Sequence, residues 1–141
     1  MGERTPERYP PARARFWRLE MPAGQTLLNA NRQLHWSQKA RIVRQLRSDA
    51  YFIAKYVKVP PLKRARIDAY YCPPPARRTR DAANWQPTFK AQVDGIVDAG
   101  VLPDDDHTHL EGPFPHIGDP HPDGRVVLII TELEPTPGVS S

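Results

Sequence analysis

Seventeen prolines fall in the 141 residues of this chain, more than twice the ordinary share of about 5%. They gather at 60–61, 73–75, 113–122 and 135–137. Proline fixes φ and removes a backbone donor, so none of these clusters belongs inside a helix or a central strand. The clusters therefore cut the chain into short segments that must each be one element or one turn. The length allows one domain and not two. With 39% hydrophobic residues and a mean hydropathy of −0.63, that domain has a small core and a polar surface.

Between the prolines the periodicity is readable. Residues 1–12 (MGERTPERYPPA) read as a disordered lead-in and 134–141 as a flexible tail, leaving a domain over 13–133. Arg13 to Met21 predicts a strand in which Phe16, Arg18 and Glu20 alternate with Trp17, Leu19 and Met21. Residues 22–35 form a polar loop. A helix capped by Ser37 runs to about Val57, with Ile42, Val43, Leu46, Ala50, Ile53, Ala54 and Val57 on one stripe and Lys39, Arg41, Arg44 and Arg47 off it. Arg64 to Cys72 predicts a second strand. A second helix follows, capped by Asn84 or Gln86, with Pro87 in its first turn and Gly100 as the stop. Phe89, Val93, Ile96 and Val97 share its apolar face, beside a ridge of Lys90, Asp94 and Asp98. His109 to Ile117 predicts an interrupted strand and Arg125 to Leu133 a buried one. The expected fold is α+β: a single two-layer domain, one small mixed β-sheet packed with two helices.

Charge is divided along the chain. Residues 1–80 carry 18 Lys and Arg against five acids, a net of +13; residues 81–141 carry two against eleven, a net of −9. Such a division can lay cations along a polyanion and collect carboxylates for a metal elsewhere, or simply solvate two faces. No apolar run approaches the roughly 20 residues of a membrane span. The first 20 residues hold five arginines, three glutamates and no apolar stretch, which is unlike a secretory signal. The single cysteine, Cys72, rules out a disulfide framework and fits a reducing, cytoplasmic setting as a buried apolar filler.

The chemistry concentrates in residues 77–106, RRTRDAANWQPTFKAQVDGIVDAGVLPDDD. Asp81 ends a turn after a strand, and Asp104, Asp105 and Asp106 follow a helix of about 13 residues that returns the chain toward its own start. Clustered carboxylates without cysteine favour a hard cation, Mg²⁺ or Mn²⁺. Arginines just before Asp81 would hold a phosphate beside it, and a lysine within reach completes the equipment of a nuclease. The plain alternative is a solvated turn.

In its order of motifs the segment resembles the RusA-like family of Holliday-junction resolvases. That family's pattern is basic residues, Asp-x-Asp-Asn, a lysine starting a helix, Asp-Gly/Ala-Leu, Ala-Gly and an Asp-Asp pair. Here it reads Arg77-Arg78-Thr79-Arg80-Asp81, Asn84, Lys90, Asp94-Gly95-Ile96, Ala99-Gly100 and Asp104-Asp105. The resemblance extends weakly over residues 14–133, through the Asn29–Asn31 loop and the closing RVVLIITEL. It implies a symmetric homodimer that binds four-way DNA junctions and nicks opposing strands with Mg²⁺ or Mn²⁺, in DNA recombination and repair in a bacterial or phage setting. It implies that Asp81, Asp105 and Lys90 are catalytic, and that Asp81 and Asp105 hold the metal, with Asp104 as a second-ligand candidate. Two departures stand out. Ala83 replaces the family's second aspartate, and three extra residues separate Asn84 from Lys90. Asp104, Asp106, Asp94 or Glu111 could compensate for Ala83; without compensation the chain would be a junction binder that cuts poorly.

Arg77, Arg78, Arg80 and Asn84 are the expected DNA contacts at the site, with Lys39, Arg44 and His35 along the first helix. Trp85 and Trp36 both read as packing residues; the alternative for Trp85 is a wedge against an unpaired base at the crossover, and for Trp36 a DNA contact. His107, His109, His116 and His121 match no common zinc spacing.

Overall fold

The computed structural model describes residues 14–76 and 81–135. Arg77, Arg78 and Arg80 lie outside the described residues, as do positions 1–13 and 136–141. The elements are β1 (Phe16–Glu20), α1 (Trp36–Val57), β2 (Ala65–Cys72), a 3₁₀ turn (Ala82–Trp85), α2 (Gln86–Asp98), β3 (Leu110–Ile117) and β4 (Arg125–Glu132). They form one α+β domain of two layers, a four-stranded mixed sheet in the order β1-β4-β2-β3 carrying two helices. β4 is antiparallel to both β1 and β2, and β2 is parallel to β3.

The strands alternate as a half-covered sheet requires. Ala65, Ile67, Ala69 and Tyr71 of β2, Val126, Leu128 and Ile130 of β4, and Leu19 of β1 are buried under the helices. Phe89, Val93 and Ile96 of α2 and Ala50 and Ala54 of α1 fill the space above them. Each large side chain buried here stabilises the fold by about 1.5–3 kcal/mol, and Phe89→Ala would cost about 3–5 kcal/mol. On the other face Phe16, Arg18, Arg66, Asp68, Tyr70 and Phe114 meet solvent wholly or in part.

This topology decides where the site can be. β1, β2 and β3 point the same way, so α1 and α2, which connect them in turn, both run back from the end of the sheet where these strands finish. The loop 21–35 and the 3₁₀ turn at Ala82–Trp85 therefore meet there. They are fastened together: the Ala30 N–H donates to the Asn84 carbonyl (2.8 Å), and the buried Thr88 hydroxyl donates to the Leu28 carbonyl (2.8 Å) and accepts from the Leu28 N–H (2.7 Å).

Several boundaries differ from the sequence expectation. Ser37 is not the cap of α1. His35 is, its Nδ1 accepting from the Ser37 N–H (3.2 Å), so the helix starts two residues earlier. Neither Asn84 nor Gln86 caps α2. The 3₁₀ turn runs straight into it, the Gln86 N–H donating to the Ala83 carbonyl, and this satisfies an end that would otherwise need a side chain. Asp81 caps the 3₁₀ turn instead, accepting from the Ala83 N–H at 3.0 Å. Gly100 stops the helix at φ 86°, as its position predicts. β1 begins at Phe16 rather than Arg13, β2 at Ala65 rather than Arg64, and β4 ends at Glu132. The interruption expected in the third strand is a register shift between Arg66 and Asp68, opposite Gly112 and the donor-less Pro113.

Candidate active site

Burial of Phe89, Val93 and Ile96 fixes the roll of α2, and that leaves Lys90 on the exposed flank. Its ammonium lies 3.4 Å from Asp94 one turn on and donates a close hydrogen bond to Asp105. Asp105 reaches it because the chain reverses after α2. Gly100 turns left-handed, Val101 and Leu102 are buried, and the Val101 carbonyl accepts from the Leu62 N–H at 2.7 Å. The neighbours of Asp105 hold the reversal in shape. Asp104 accepts from the Asp105 N–H (2.7 Å), while Asp106 accepts from the Thr108 N–H (3.0 Å) and hydroxyl (2.6 Å) and lies 2.8 Å from the His109 ring. Of the three consecutive aspartates, the middle one is therefore the one presented to Lys90.

Protonation follows from these contacts. The hydrogen bond to Asp105 raises the Lys90 pKa above its ordinary value, and the same bond from Lys90 lowers that of Asp105. Lys90 is a cation and donor at neutral pH, and Asp105 an ionised acceptor. Thr108 first, then His109, hold Asp106 down to about 2.

The expected site residues fall into two groups. Lys90, Asp105 and Asp94 meet, with Asp104 bonded to the Asp105 backbone. Asp81 sits at the mouth of the turn that enters α2, and no hydrogen bond joins it to Lys90 or Asp105. Asn84 is half-buried and anchors the loop through its carbonyl. His35, Lys39 and Arg44 are exposed on α1; Arg47 is not free, since it binds Asp98 on α2 at 2.8 Å through Nη2.

Asp94 and Asp105 already flank one cationic centre, which suits a hard divalent ion that keeps most of its waters and takes one or two carboxylates. A cage of three does not form: among the described residues no group of three or more His, Cys, Asp or Glu could hold an ion. Trp85 is a packing residue, as expected, buried with its ring 4.4 Å from that of Tyr71. Trp36 is not, being 76% exposed. Sequence reading also missed the fastening of Ala30 to Asn84, for which no local signal exists. No family model matches the chain, and a search of curated proteins finds no match.

Proposed function

We propose that this chain is a metal-dependent endodeoxyribonuclease that nicks four-way and other branched DNA. The observation that carries the reading is the contact between Lys90 and Asp105. These are the lysine and one of the two aspartates that the motif order singles out, 15 residues apart, and they meet on an exposed surface with Asp94 beside them. An ion pair buried for stability would be shielded; this one is open to a substrate.

In this reading Asp105 and Asp94, with Asp81 at the start of the 3₁₀ turn, are the carboxylates offered to Mg²⁺ or Mn²⁺, and Asp104 orients Asp105. When bound, the ion would offset charge on the scissile phosphate and make its attacking water more acidic. Lys90 stays protonated and donates to a phosphate or leaving oxygen, stabilising charge that grows in the transition state. Arg77, Arg78, Arg80, Asn84, Lys39, Arg44 and His35 position the backbone. A homodimer would place two such sites on opposing strands, in DNA recombination and repair in a bacterial cytoplasm. No helix among the described residues is long and apolar enough to cross a membrane.

A second reading, a junction-binding protein that cuts weakly or not at all, is favoured by Ala83 and by the two carboxylates, rather than three, that meet at Lys90. A Mg²⁺ titration with a labelled four-way junction separates the two. Nicks lost in Asp105→Asn and Asp81→Asn support the enzyme. Tight binding without nicks supports the binder, and absence of binding sinks both.

A further inference from the structure

Trp36 stands where helix geometry expects a buried side chain. It lies seven residues before Val43 and fourteen before Ala50, so the three share one stripe of α1. Ala50 is fully buried and Val43 packs against Leu28, Leu46 and Ala91, yet Trp36 is 76% exposed. The helix overshoots the layer beneath it. The chain at this end is anchored, because Leu34 packs into the same small cluster as Ala91, the neighbour of Lys90.

The ring does not stand alone. His35 lies against it, centroids 5.5 Å apart and planes inclined by 33°, and the imidazole is fixed by the Ser37 N–H (3.2 Å) and hydroxyl (2.8 Å). The charges along this stretch of chain, residues 21–48, have one sign. Arg32, Lys39, Arg41 and Arg44 are all exposed, and none joins an ion pair with another described residue. No acid occurs between Glu20 and Asp49. An open indole among cations that pair with no other described residue suits a partner that is flat, aromatic and anionic.

We propose that Trp36, backed by His35, is a stacking platform for an unpaired nucleobase, with Lys39 and Arg44 serving the flanking phosphates. This rests on the branched-DNA reading above and narrows it: the favoured substrate carries unpaired bases at the branch.

The test compares two four-way junctions, one fully paired and one with two unpaired thymines at the crossover. Trp85 is buried and Trp17 partly so; acrylamide-accessible emission of the free protein therefore reports Trp36. The unpaired junction should protect that emission. Trp36→Ala should weaken its binding ~5- to 150-fold, the range for one lost base stack, and lower its preference over the paired junction. Trp36→Phe, which keeps a smaller ring, should lose less. Equal affinities for wild type and Trp36→Ala, or emission still accessible in the complex, would overturn the proposal while leaving the nuclease reading intact. A changed sedimentation of free Trp36→Ala would overturn it in favour of a protein contact. If neither junction binds, the nuclease reading fails first.

Discussion

Lys90 binds Asp105 across 15 residues of chain while Asp94, one helical turn away at 3.4 Å, shares its charge. The spacing of 90 and 94 is ordinary helix chemistry. The reach to 105 is tertiary, produced by Gly100, by the burial of Val101 and Leu102, and by the turn that Asp104 and Asp106 hold. The contact therefore sets a local carboxylate–lysine pair into a three-member cluster on an exposed surface.

Lys90→Gln should separate activity from stability. The Lys90 side chain is 56% exposed, and ion pairs this open contribute about 0–1 kcal/mol. Losing a positioned cationic donor from a phosphoryl-transfer site costs about 10²–10³ in rate. The expected result is nicking of a labelled junction reduced by that factor, with a melting temperature within a few degrees of wild type. A large fall in melting temperature would make the pair structural.

Acid titration should single out Asp106. Its pKa is lowered to about 2 by Thr108 and His109, so its contribution is present above the ordinary carboxylate range and is lost as pH falls through about 2. Asp105 moves the same way under Lys90. Thr108→Val removes the hydroxyl donor and should move Asp106 back toward 3.8. Carboxyl carbon shifts followed against pH check this; an unmoved midpoint would mean that the Thr108 hydroxyl is not the cause.

Much of the fold is legible because it is periodic. The stripe Leu46, Ala50, Ala54 and the face Phe89, Val93, Ile96 are buried as their spacing predicts, and Gly100 ends α2. The errors lie where a specific neighbour, near or far in the chain, decides. Ser37 has the right chemistry for a cap, but His35 just before it takes the place. Trp36 is in phase with the core yet has no layer beneath it, a matter of how far α1 extends. At the site, Lys90 and Asp105 were legible as a motif, whereas the placement of Asp81 at the mouth of the 3₁₀ turn depends on backbone paths that spacing does not encode.

Gly95 should be irreplaceable for a reason unrelated to chemistry. A Cβ there would lie 2.1 Å from the Arg47 carbonyl oxygen and 3.1 Å from Ala50 Cβ, so the two helices touch backbone to backbone. Alanine favours a helix over glycine by about 1 kcal/mol, but overpacking of this kind costs about 1–3 kcal/mol and often more. Gly95→Ala should therefore lower the melting temperature, and Arg47 should lose its contact with Asp98. A variant at least as stable as wild type would show that the helices can part without loss.

Thr88 gives the sharpest test of how the loop is held. Its hydroxyl is fully buried and serves both backbone groups of Leu28, accepting at 2.7 Å and donating at 2.8 Å. Thr88→Val keeps the shape and removes both bonds, leaving a buried N–H and carbonyl unpaired at about 1–3 kcal/mol for each group. The melting temperature should fall by roughly 8–24 °C. Amide exchange over residues 21–35 should rise more than exchange in β2 and β4, because the loop loses its tie to α2 while the sheet does not. Thr88→Ser, which keeps the hydroxyl, should restore most of the protection. Exchange that rises evenly through the sheet would instead mean that Thr88 supports the core as a whole.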